Sequence, residues 1–324
     1  MEIPLGAIRS RSALFWTASP WLSLTGAFMI IDFIACLVAM HFDPRLVTGV
    51  NAWLKPAKFG LSSAVTCVTL AGIASSLISW PRLRAWSGRV FSWSIAIEIV
   101  VIDLQAARGT TSHFNLSTPF NKGAFFVMGI SICTLWLSMA AMTIALMRQE
   151  IAPTSLKLAL RLGLLLSLLG AAGGGFMLRQ TPDEEQSHSR LYFGAHTVGA
   201  PDGGAGLPVV NWSAQHGDLR VPHFLGLHAM QAIPLVGLWL LRMRKLSERQ
   251  RIRLVCLASF GYIALFALLT WQALRGQALL EPDRHTLLVA LFLLGSVGIG
   301  SALILIGPFA AAVSRWANIL EVRA

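Results

Sequence analysis

Eight long apolar stretches constrain this chain more than any other feature. They lie near residues 20–41, 57–79, 90–107, 123–147, 157–178, 223–241, 254–274 and 286–309. Each approaches the roughly 20 residues a helix needs to cross about 30 Å of hydrocarbon. Lipid offers no water to unpaired backbone amides, so only helices or closed barrels satisfy it. No barrel-like alternation of apolar and polar residues appears. The pattern predicts an all-α, polytopic transmembrane helix bundle of about eight spans. Residues 1–324 are expected to form one membrane-embedded unit, with the long loop 179–222 capping it between spans five and six.

Composition agrees. Only 13% of residues are charged, against about 25% in soluble chains. The net charge of +11 does not point to nucleic acid, because Lys and Arg fall in short runs between apolar stretches. No G-x-x-x-x-G-K-[ST] loop is present, so no nucleotide partner is expected. Cys36, Cys67, Cys133 and Cys256 all sit in apolar segments without a C-x-x-C, and read as packed thiols. The first stretch follows Arg9 and Arg11 without a small-x-small cleavage site, and reads as a signal anchor.

Orientation follows from the basic residues. Sixteen of the 26 Lys and Arg residues fall at the two termini and the even-numbered loops, six of them in the short loop 242–253. Cytoplasmic loops carry such an excess, so both termini are expected in the cytoplasm of a bacterial-type inner membrane. The other side holds the irregular loops 42–56, 108–122 and 179–222, and irregular loops often carry function.

That side also collects the histidines. His41, His113, His188, His196, His216, His223, His228 and His285 all fall on it or in the outer third of a span. His223 and His228 are five apart, so they diverge by about 140° around one helix. They cannot form the i,i+4 pair that chelates from one face. His113 with His223 or His228 is the expected ligand set for haem b or a transition metal ion. His188 and His196 are expected at the surface of the long loop.

Carboxylates inside apolar segments mark sites by default. Asp32, Glu98 and Asp103 are of this kind. Glu98 and Gln105 share a helix face, and Arg108 extends it outward as a polar stripe. Asp103 is expected to face another helix, with Lys58 as a salt-bridge partner. Lys55 and Lys58 open the second span, with Pro56 suited to its first turn. Segment 211–224 adds Asp218 and Arg220 just before the sixth span.

Three functions fit. The first is a membrane redox protein with an outward-facing haem or metal site, in which Lys55, Lys58, Gln105, Arg108 and Arg220 hold anionic groups of the cofactor. The second is a metal- or acid/base-dependent lipid-modifying enzyme at the outer leaflet, with Asp32, Glu98 or Asp218 as general base. The third is a small-anion or lipid transporter using the Glu98–Gln105–Arg108 stripe. Partners are accordingly the bilayer and a small-molecule or lipid substrate.

Overall fold

A computed structural model describes residues 18–179 and 191–321, with side chains as far as 306. Among the described residues the protein is all-helical apart from two small antiparallel strand pairs. In order, the elements are α1 (Pro20–Phe42), β1 (Leu46–Val47), β2 (Val50–Asn51), α2 (Leu54–Ala74), α3 (Pro81–Ala107), α4 (Pro119–Arg148) and α5 (Thr154–Ala172). A 3-10 turn (Gly173–Met177), β3 (Thr197–Val198) and β4 (Gly217–Asp218) follow. Then come α6 (Arg220–Leu227), α7 (Ala229–Arg242), α8 (Glu248–Leu274) and α9 (Arg284–Glu321).

Seven of these helical segments are long and apolar enough to cross a membrane, eight if the bent pair α6–α7 counts as one span. The protein is therefore a multi-pass membrane protein. The helix starts follow local chemistry. Prolines occupy the first turns of α1, α3 and α4, where a missing N–H costs nothing. Thr118 caps α4 by accepting from Asn121 N–H, and Ser247 with Gln250 forms a capping box on α8.

Core and polar residues separate along the bundle. The largest apolar cluster joins Leu22, Leu70, Leu77, Phe91, Met139, Met142, Leu146, Leu164 and Met230. It lies toward the end that carries the short basic connectors. The opposite, loop-rich end holds segments 43–53, 108–118 and 191–219, where both strand pairs form.

The expected straight sixth span is instead two helices meeting at 45° with His228 at the joint. Ser167 of α5 makes this break tolerable. Its hydroxyl donates to Leu227 C=O (2.5 Å) and accepts from Met230 N–H (3.0 Å). Backbone groups freed within a membrane need such substitutes. Beside it α5 and α6 nearly touch. A Cβ on Gly170 would lie 2.2 Å from the Gly226 carbonyl carbon, so only glycine fits that crossing.

Candidate functional site

Three side chains from three segments meet near the loop-rich end. Lys55 stands on the first turn of α2, Glu98 on α3, and His113 on the loop joining α3 to α4. Lys55 Nζ lies 3.0 Å from His113 Nδ1, and Ser112 Oγ is also 3.0 Å from that nitrogen. His113 Nε2 faces Glu98 Oε1 at 3.5 Å. At that distance the pair is a small ring rotation or one bridging water from a hydrogen bond. Glu98 is 3% exposed, and its Oε2 has no hydrogen-bond partner among the described residues. Buried polar atoms are nearly always paired, so Oε2 stands out, as do Asp32 Oδ2 and Asp103 Oδ1 among the buried carboxylate oxygens.

The His113 loop is built to hold its shape. Asn115 donates to Thr110 Oγ1 and Thr111 C=O, and accepts from Ser117 N–H and Oγ–H. Arg108 donates to Gln105 Oε1 (2.5 Å) and Asn121 Oδ1 (2.8 Å), while Gln105 donates to Asn121 Oδ1 (3.1 Å). The guanidinium also lies 4.2 Å from the centre of the Phe120 ring. Gln105 and Arg108 thus brace the loop, and the stripe parts from Glu98, which turns to His113.

Burial holds the His113 imidazole well below its usual range. The Lys55 charge pushes it further down, with smaller contributions from His196 and His223. The Phe114 ring lies against both His113 (6.0 Å between ring centres) and His196 (5.0 Å). His223 donates from Nδ1 to Gly170 C=O (3.0 Å), which leaves Nε2 as its lone-pair nitrogen. His196, expected at the surface, instead packs on Phe114, and its Nδ1 lies 2.5 Å from Asp202 Oδ2. His188 lies outside the described residues.

The other expected site residues make contacts of their own. His228 lies 3.4 Å from Ser62 Oγ and 3.3 Å from Gln231 Oε1, and Gln231 donates to Thr69, which ties the α6–α7 joint to α2. Lys58 donates to Val210 C=O (2.7 Å) rather than pairing with Asp103. Asp218 is 2% exposed and accepts from Arg220 and from Ser213 N–H, while Arg220 also donates to Asn211 C=O. Together they fasten the loop to the start of α6.

Asp32 and Asp103 meet between α1 and α3, with Cys36 donating to Asp32 across 3.9 Å. Among the described residues this is the one trio of His, Cys, Asp or Glu ligand atoms within 4.8 Å of one another. His113, His223 and His228 are not gathered in that way. Sequence reasoning missed His196 and Asp202 because a Gly-rich turn gives no periodic signal of where its carboxylate will point. Comparison with known protein families, with curated proteins and with solved structures finds no match.

Proposed function

We propose that this membrane protein is an acid–base enzyme acting on a small-molecule or lipid substrate at the outer leaflet. The observation that carries this reading is the partnerless oxygen of buried Glu98 beside His113, itself backed by Lys55. With Lys55 protonated, His113 Nδ1 accepts and Nε2 carries its proton toward Glu98. Glu98 then takes a proton from substrate at Oε2, forming an O–H bond there, and returns it to the product, while the imidazole holds Oε1 in place. A general base in this role must lie within hydrogen-bond reach of the proton it removes, and Oε2 has that capacity unspent. The excess of basic residues at the other end supports an extracytoplasmic position for the site in an inner membrane.

The test compares lipid and small-molecule extracts from cells producing the wild-type protein or Glu98→Gln at equal levels. A species converted by the wild type and left unconverted by the variant is the expected result. The same conversion by both overturns the reading.

A haem- or metal-binding redox protein is the second reading. It is favoured by His223, whose Nδ1 rests on a carbonyl and whose Nε2 makes no hydrogen bond among the described residues, as metal-ligating imidazoles are commonly held. Absorption and elemental analysis of purified protein separate the two. A Soret band, or stoichiometric metal lost in His223→Gln, favours the redox reading over the acid–base one.

A further inference from the structure

The turn 199–204 does specific work on one side chain. Gly199 (φ +94°) and Gly203 (φ +103°) adopt backbone conformations that side chains rarely allow, and they fold Asp202 back over the start of β3. There its Oδ1 accepts from Thr197 N–H (2.8 Å) and His196 N–H (3.1 Å), while Oδ2 meets His196 Nδ1. Pairing of β3 with β4, and the bond from Leu219 N–H to His196 C=O (2.9 Å), lock the backbone beneath the ring. Phe114, next to His113 in the chain, covers one edge of the imidazole. Nε2 makes no hydrogen bond among the described residues, and the side chain keeps 21% exposure.

We propose that His196, oriented by Asp202, is a second proton acceptor of the same site and takes a proton from a hydroxyl or water through Nε2. This rests on the acid–base reading above. In the step, the substrate O–H bond breaks, an N–H bond forms at Nε2, and Asp202 stays ionised beside the resulting imidazolium. The proton returns from Nε2 when the product forms. A carboxylate on Nδ1 fixes the tautomer that leaves Nε2 able to accept. The charged and titratable groups that act on the ring are Asp202, Lys55 and Arg220, and His113 and His223 share its neighbourhood. Burial works to raise the Asp202 carboxyl, but its bonds from His196 and Thr197 prevail and hold it below the carboxylate range. The carboxylate is thus ionised at neutral pH. Burial lowers the His196 imidazole, Asp202 opposes that, and the ring rests neutral.

Histidine labelled with nitrogen-15 reports the tautomer directly in detergent-purified, full-length protein, with His196→Gln giving the assignment. The expected wild-type signal has the proton on Nδ1. Asp202→Asn, whose amide can donate to Nδ1, moves the proton to Nε2. Diethyl pyrocarbonate, which acylates the lone-pair nitrogen of neutral imidazole, then modifies His196 about tenfold more slowly in Asp202→Asn. A wild-type proton on Nε2, or equal labelling in a folded Asp202→Asn, overturns the proposal. If Asp202→Asn fails to fold, the wild-type tautomer alone decides. Glu98→Gln leaves the His196 tautomer unchanged, so loss of the dyad and loss of Glu98-dependent chemistry are separately visible.

Discussion

Lys55 Nζ lies 3.0 Å from His113 Nδ1, which joins the first turn of α2 to the loop between α3 and α4. The contact couples two groups that would both carry positive charge if both were protonated. Burial and the Lys55 charge together keep His113 neutral, in that order of size. Lys55→Met removes the second cause and leaves the first. Opposite or like charges at this range move a titration by about one unit or more. The His113 titration followed by nitrogen-15 NMR should therefore rise in Lys55→Met and stay low in Lys55→Arg. A midpoint unmoved by Lys55→Met removes the coupling.

His113 and His196 both have folded-state values below the ordinary imidazole value. For such groups the unfolded chain binds protons first. Their stabilising contribution is complete above the unfolded pKa of about 6.5 and declines as pH falls below it. Asp202 is lowered as well, but it begins to lose its contribution only below about pH 4, where the unfolded carboxyl protonates. Below about pH 6.5 each of these two imidazoles contributes a slope of at most about 1.4 kcal/mol per pH unit. His113→Gln should remove that share, so the difference in detergent-unfolding stability between wild type and variant should shrink as pH falls below about 6.5. A slope equal in wild type and His113→Gln would remove His113 from the balance.

The α6–α7 joint makes a purely structural prediction. Ser167→Ala takes a donor from the half-buried Leu227 C=O and an acceptor from the buried Met230 N–H. Leaving such groups unpaired costs about 1–3 kcal/mol. Gly170→Ala places a methyl against the Gly226 backbone and should be worse, because backbone cannot step aside as a side chain can. Unfolding midpoints in detergent give the order wild type, Ser167→Ala, Gly170→Ala. Equal midpoints for Ser167→Ala and wild type would mean that water serves the joint instead.

How far the sequence revealed these features depended on whether a signal was periodic. Hydropathy located the membrane helices because burial in lipid imposes length and composition on every residue between Pro20 and Phe42 and in each later span. Glu98 and His113 were visible because a carboxylate in an apolar run and a histidine in a polar loop are both costly to carry without use. Their meeting was not visible, since it depends on how Arg108, Gln105 and Asn121 brace the loop. Lys58, Asp218 and Arg220 stood out by residue type, but the loop backbone that each of them bonds could not be read from spacing. The break at His228 was hidden because its compensating hydroxyl, Ser167, is on another helix. Asp202 was hidden because its aim is set by two glycine conformations rather than by spacing.

The position of the site relative to the membrane yields the last prediction. Gly204 lies in the turn that carries Asp202, and a Cβ there meets nothing within 4 Å, so a cysteine fits without strain. Lys245 is exposed in the basic connector between α7 and α8, at the opposite end. With the native cysteines replaced, Gly204→Cys should react with a membrane-impermeant maleimide in intact cells. Lys245→Cys should react only after lysis. This follows from the concentration of basic residues at one end, since cytoplasmic loops carry that excess. The reverse pattern would put Lys55, Glu98, His113 and His196 in reach of cytoplasmic substrates and withdraw the outer-leaflet reading. It would leave the proton-exchanging geometry itself unchanged, because the contacts among those residues do not depend on which way the bundle faces.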